Sequence, residues 1–507
     1  MLFLMSPNLR HAFAVGAAAF MGWLAPALAL AAERAPDLTL TGAMTGADHE
    51  TYREIPFRLP AGTTRLTVEF AYAGREQRSV IDLGLRDPVR FRGWSGGNKS
   101  RFVVEEADAT PSYLPGPLPP GTWKLVLGVP NIRKTATAAY EAKVWFDRAD
   151  APFPGFLPAP IKTGPGWYRG DLHMHTAHSD GACLSRKGAS VPCPVFKTLE
   201  AAGARGLDFI AVSDHNGVSQ NASLRELAPY FDDLLLIPAR EITTFKGHAN
   251  VFGTTAPLDF QLGSNRAPRL SAILDEVEAA HALISVNHPG QPSGEACMGC
   301  GWTAETDWTR IPVMEAINGG ALALFGPEGP LSGVPFWEAR LNAGFRIAAI
   351  GGSDNHDAPN AAGKASTIGV PTTVVHAPDL SQDSILAAIR QGHVFVDVWG
   401  TRDRLLEVEA RTGGLRAEMG DVLPVAAGAK VSIEAHVAGA PEGAVLSLAG
   451  DGAKLAAAFA PALGAAETRS SFELTADGQA HWLRVDVRDA RGKLLILGNP
   501  IYLRPAP

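Results

Sequence analysis

In Asp208-Phe209-Ile210-Ala211-Val212-Ser213-Asp214-His215-Asn216 an apolar run passes straight into metal-binding residue types. The β-type run predicts a strand over 208–213. Upstream, the Ala-rich segment Phe196 to Gly203 reads as a helix; downstream, Leu270 to Leu283 reads as a helix and Ala282 to Asn287 as a strand. This alternation runs from Trp167 to about Asp397 and predicts an α/β fold with a parallel sheet, often a barrel.

Outside that region the texture changes. Between Ala35 and about Pro160 the chain reads as short alternating strands, as in Arg65 to Phe70 and Thr122 to Leu127, with turn residues spaced as in a sandwich. A Pro- and Gly-rich stretch, Pro152 to Gly166, reads as a linker. Beyond Arg404 alternation returns, as in Lys430 to Ala435 and Trp482 to Val487. Residues 1–32 carry Arg10 and His11, an apolar run and Ala-x-Ala endings, the layout of a secretory signal peptide. The expected organisation is therefore a signal peptide (1–32), an N-terminal β-sandwich-like domain (33–160), an α/β domain (161–400) and a C-terminal β-rich domain (401–507).

Composition removes several classes of function. Lys and Arg total 45 against 52 Asp and Glu among 507 residues, a formal charge of −7, so no basic surplus exists to hold a nucleic acid or an anionic membrane. No mature segment has the roughly 18 continuous apolar residues of a membrane span. Export to an oxidising compartment, periplasmic or extracellular, is expected after cleavage, and the four cysteines agree with it. Cys183, Cys193, Cys297 and Cys300 form two disulfides by default in such a chain. Cys297-Met298-Gly299-Cys300 could instead be half of a zinc site, with the other pair as its second half.

Ten of the fourteen histidines lie between Gly166 and Gly400. Five short segments carry the candidate ligands: His173 and His175 with Asp180, then His215, then Glu241 with His248, then His288, and finally Asp354 with His356. In a parallel barrel the C-terminal strand ends converge on one mouth, so residues distant in sequence can meet there. Residues i and i+2 of a strand share a face, so His173 and His175 can hold one cation together, and Asp354 and His356 repeat that spacing. A carboxylate can bridge two ions whereas an imidazole nitrogen holds one, so this set suits two or three Zn, Mn or Fe ions.

These residues resemble the PHP (polymerase and histidinol phosphatase) metallohydrolases. Asp171-Leu172-His173-Met174-His175-Thr176 with Ser179-Asp180-Gly181 is similar to that family's first motif, and Val212-Ser213-Asp214-His215-Asn216 to its second. Glu241, His248 and His288-Pro289 match the middle positions and Ser353-Asp354-Asn355-His356 the closing one. The resemblance covers about half of the chain. It implies a distorted (β/α)7 barrel in which His173, His175, Glu241 and Asp354 hold one ion. Glu241 then bridges to a second ion held by His248 and His288, and Asp180, His215 and His356 hold a third. Asp180 stands where some members carry His, so filling of the third site is open. The flanking β domains and the signal segment further resemble an exported branch that includes carbamate and phosphoester hydrolases.

The expected activity is phosphoester hydrolysis of a small molecule. A water bridging two divalent cations ionises near neutral pH and becomes the nucleophile, and Asp354 accepts and relays the proton. The alternatives are attack on a carboxyl ester or carbamate at the same metals, or a non-catalytic exported binding module. Arg240, Lys246 and Lys364 are candidate anion contacts, or else ordinary solvated charges. Asp214 reads as a support of the ligands, His178 as either a support or an exposed residue, and His281 as an ordinary helix residue. Trp302, Trp308, Phe325 and Trp337 read as packing of an inserted lid or as an apolar pocket wall.

Overall fold

The computed structural model describes residues 34–295, 297–359, 366–451 and 467–506. The expected signal peptide lies outside the described residues. Among the described residues no helix is long and apolar enough to cross a membrane.

The N-terminal alternation folds as expected, into two antiparallel four-stranded sheets. One runs Leu38–Thr45, Thr137–Asp147, Arg65–Tyr72, Arg101–Glu105; the other runs Thr51–Leu59, Gly121–Asn131, Val80–Arg86, Phe91–Gly96. In Thr137–Asp147 the residues Ala138, Tyr140, Ala142 and Val144 point inward at period two. They meet Trp123, Leu125 and Leu127 of the other sheet in one buried cluster.

The middle region is mixed α/β, with more strand than helix, and a (β/α)7 barrel is not shown. Parallel pairs join Phe209–Val212 to Leu235–Thr244 and to Thr163–Asp171, and Val313–Asn318 to Leu283–Val286 and to Ala348–Gly352. Between them, Gly247–Phe252 pairs antiparallel with both Leu235–Thr244 and Leu283–Val286. The physical reason is local. Only Phe245 and Lys246 separate Leu235–Thr244 from Gly247–Phe252, enough for a hairpin but far short of the dozen or so residues that a parallel crossover needs.

Helix Val195–Ala204 presents Val195, Thr198, Leu199 and Ala202 to the core, the i, i+3, i+4, i+7 spacing of one helix face. Helix Leu270–Ala279 is shorter than its apolar run, because His281 takes a left-handed backbone (φ 53°) and ends it. The Ala282 amide then closes back onto the Val277 carbonyl at 3.0 Å. His281 is thus a turn residue rather than a helix residue, with Nε2 donating to the Asp150 carbonyl at 2.8 Å.

The region beyond 400 is β-rich, and its hydrogen bonding does not stop at the expected boundary. Val394–Asp397 pairs with Leu494–Leu497, and through it one fourteen-stranded sheet continues into His481–Arg488, Ile501–Pro505 and Val422–Val425. A separate four-stranded sheet orders Leu415–Glu418, Leu405–Thr412, Lys430–Ala438 and Glu467–Thr475.

Candidate metal centre

Strand Thr163–Asp171 ends at the buried Asp171, whose carboxylate accepts from the amides of His173 (3.2 Å), Ser353 (3.0 Å) and Gly369 (2.7 Å). This clasp lays segment 173–175 beside segment 354–356. The Asp354 amide donates to the His173 carbonyl and the His175 amide to the Asn355 carbonyl, each at 2.8 Å. The second parallel neighbour brings His215 alongside Glu241. The hairpin sets His248 opposite Thr243, and the Asn287 amide, next to His288, donates to the His248 carbonyl at 2.9 Å. All nine expected residues meet at one place.

Glu241 is the hub. Oε1 lies 3.3 Å from His173 Nε2, 3.3 Å from His288 Nε2 and 3.5 Å from His248 Nδ1, while Oε2 lies 2.8 Å from His215 Nδ1 and 3.8 Å from His175 Nε2. Asp354 Oδ1 lies 3.1 Å from His175 Nε2 and 3.4 Å from His173 Nε2. Asp180 Oδ1 lies 3.4 Å from His356 Nε2 and 3.6 Å from His215 Nε2. Three overlapping groups could each hold a cation: His173, His175 and Asp354; His173, Glu241 and His288; and His175, Asp180, His215 and His356; in a fourth cluster Cys300 adjoins His248 and His288, its sulfur tied up in a disulfide. Relative to the expected partition, His175 joins the third group and Cys300 joins His248.

The centre is graded from dry to wet. Glu241 is 1% exposed, Asp354 21% and Asp180 57%, so solvent reaches the cluster from the side of Asp180 and His356. Backbone strain accompanies it, because Asn216, His288 and Asp354 are non-glycine residues with φ of 52°, 28° and 54°.

Electrostatics favour ionised carboxylates. Burial opposes a charge on His173, but Asp354, Glu315 and Glu241 outweigh it and hold its pKa well above the ordinary imidazole value. Burial would likewise raise Glu241 and Asp354, yet the surrounding imidazoles hold both well below the usual carboxylate range. His215 is pushed up to about 10, burial being overcome by Asp180 and Glu241. A cation entering such a cluster displaces protons from the imidazoles. The donor set fits divalent first-row ions. Imidazoles and carboxylates are their usual ligands, and His173 Nε2, His175 Nδ1 and His288 Nδ1 are buried without a hydrogen-bond partner.

Supporting residues fall partly where expected. Asp214 accepts from the Thr176 amide at 2.7 Å and from the hydroxyls of Thr176 (2.7 Å) and Ser179 (2.6 Å), and His178 Nδ1 bonds the Ser219 hydroxyl at the surface. Glu315 was not anticipated. Its Oε1 takes His173 Nδ1 at 3.0 Å and its Oε2 takes the His288 amide at 2.9 Å, so one buried carboxylate orients two ligands. The signal available was a lone acid inside the apolar run Val313-Met314-Glu315-Ala316-Ile317, since a buried carboxylate requires partners.

The expected anion contacts are not brought to the cluster. Arg240 precedes Glu241 on its strand and so faces the other way, buried, with Nη2 donating to the Ala256 carbonyl. Burial lowers its pKa to about 9. Lys246, in the hairpin turn, lines a separate cavity of about 270 Å³ with Arg269, Glu305 and Asp307. Lys364 lies outside the described residues. Trp302 and Trp337 are core residues with Trp308 packed against them, whereas Phe325 is exposed. Cys183 joins Cys193 and Cys297 joins Cys300.

No family model and no curated protein matches the chain. Among solved structures it is similar to a two-domain protein of Bacteroides vulgatus containing a predicted PHP-like metal-dependent phosphoesterase. The likeness has 18% identity, covers 68% of this chain and 97% of that one, and has a TM-score of 0.35.

Proposed function

We propose that this chain is a PHP-type metal-dependent hydrolase acting on a small-molecule phosphoester, exported after loss of residues 1–32. The observation that carries the reading is the convergence of six imidazoles and three carboxylates, drawn from five segments between residues 173 and 356, around the buried Glu241. Two or three divalent ions, Zn, Mn or Fe, would supply an activated water and polarise the phosphoryl oxygen.

The chain's own residues do the rest. Glu241 and the inner imidazoles His173, His175, His248 and His288 hold the dry end, where a low dielectric strengthens each charge–charge contact. Asp354 stands between the buried and open sides and is the proton acceptor and relay to the leaving group; the Asn318 amide donates to its Oδ2 at 3.3 Å and fixes its orientation. Asp180, His215 and His356 form the open lip at which an ester would enter.

Glu241→Gln and Asp354→Asn are expected to remove at least about 100-fold of turnover on aryl phosphates. Circular dichroism should remain that of the parent. Undiminished turnover in either variant overturns the reading. Aryl carbamates and carboxyl esters tested beside aryl mono- and diesters decide between the phosphoester and the carbamate or ester alternative.

A further inference from the structure

The loop Cys297-Met298-Gly299-Cys300 presses against the centre, although nothing in the hydrolytic scheme uses it. The Met298 carbonyl accepts from His248 Nε2 at 3.2 Å, which leaves His248 Nδ1 facing Glu241. Gly299 (φ 81°) lies so close to the Thr244 carbonyl that no side chain fits there, so the loop is seated on the hairpin that carries His248. Cys300 is fully buried, and its sulfur lies within 4.8 Å of a ring nitrogen of both His248 and His288. His288 is itself 3% exposed, with Nδ1 lacking a hydrogen-bond partner. The loop's other end differs, since Cys297 is only partly buried and Met298 is 74% exposed.

We propose that Cys297 and Cys300 are a redox-controlled ligand pair. As a disulfide they withhold sulfur from the centre. As a dithiol, Cys300 adds a thiolate to His248 and His288, completing a one-sulfur, two-imidazole set suited to zinc. The asymmetry of exposure sets the chemistry. A thiolate of an external dithiol attacks the accessible Cys297 sulfur, the S–S bond breaks, and the electron pair leaves on Cys300, beside the two imidazoles. The dithiol's second thiolate then attacks the mixed disulfide and releases Cys297, which takes up a proton. Two electrons have passed to the pair, and the external dithiol has become a disulfide. In an oxidising compartment the sulfur stays withheld, so the composition of the centre follows the redox poise around it.

This inference rests on the metal-site reading, and cobalt(II) tests the two separately. The oxidised protein is compared with protein reduced by dithiothreitol, freed of reductant under anaerobic conditions and then titrated with cobalt(II). The readouts are bound equivalents and the near-ultraviolet spectrum. A thiolate-to-cobalt charge-transfer band is expected only after reduction, with cobalt affinity raised at least about tenfold. Cys297→Ser is expected to show the band without reduction and Cys300→Ser never to show it. The Cys300→Ser variant also excludes Cys183 and Cys193 as the source. If Cys300→Ser fails to fold, the oxidised and reduced forms of a Cys183→Ser/Cys193→Ser protein still decide. Cobalt bound by the reduced protein with no band, or a band that persists in Cys300→Ser, overturns the redox ligand alone. Cobalt absent from every form overturns the metal-site reading with it.

Discussion

Glu315 and Asp108 are single residues with consequences disproportionate to their size. Glu315 touches no expected reacting atom, but it sets the tautomer and direction of His173 and fixes the backbone of His288. Glu315→Gln is expected to weaken metal binding about 10- to 100-fold, measured by competition with a chelator, with the fold retained. Asp108 belongs to none of the candidate metal groups and is buried beside Arg225 of helix Gln220–Leu227. Burial outweighs that partner and raises its pKa from 3.8 to about 6. Between those values the folded chain keeps a proton that the unfolded chain has lost. The resulting stabilisation is complete below about pH 4 and is lost as pH rises through about 6. Urea unfolding of Asp108→Asn should lack this fall, and an unchanged pH profile would remove Asp108 as its source.

At the scale of elements, the centre depends on how closely strands approach. Strand Ala348–Gly352 passes its neighbour with a glycine at 352, and a β-carbon there would overlap Glu315 Oε1 and His173 Cβ. Gly352→Ala is therefore expected to displace Glu315 from His173 and to destabilise the fold by about 1–3 kcal/mol through overpacking. Thermal unfolding together with chelator competition reads both effects. Element placement was largely legible in sequence. The helix at 195–204 and the strands at 209–212 and 283–286 fall within a residue or two of their expected bounds, because each is a single apolar run with clear ends. The direction of pairing was not legible. Gly247–Phe252 is buried along its whole length, as a parallel strand would be, and only the two-residue turn before it marks a hairpin.

Over the whole molecule, the middle and C-terminal regions are joined by buried charge as well as by a shared sheet. Arg169, on the strand that leads into His173, donates to Asp397 at 2.8 Å and to the carbonyls of Thr401 and Arg404. Arg404 reaches the same fully buried carboxylate at 3.2 Å. Arg169→Ala strips one partner from Asp397 and is expected to cost about 3–5 kcal/mol in chemical denaturation. Asp397→Asn, which leaves both Arg169 and Arg404 without their shared counter-charge, should cost at least as much. The expected boundary near 400 rests on a change of texture, and texture reports which face of a strand is buried rather than which strand it pairs with. Hence the continuous sheet could not be seen in sequence.

What the sequence alone determined is the identity of the candidate ligands and the class of each segment. Apolar runs with ligand-type residues at their ends, such as Val212-Ser213-Asp214-His215, report local chemistry that survives any choice of topology. Only the tertiary structure decided which ligands share a site, which carboxylate is the hub, and that Glu315 and Cys300 belong beside them. Arg240 shows the same division in reverse, because it adjoins Glu241 in sequence yet faces away from the centre in space. The physical reason is that coordination is a matter of a few ångströms between residues as much as 181 positions apart, as between His175 and His356, whose ring centroids lie 4.1 Å apart. Those separations are set by strand pairing and by close contacts such as the one at Gly352, and neither is encoded in any single stretch of chain.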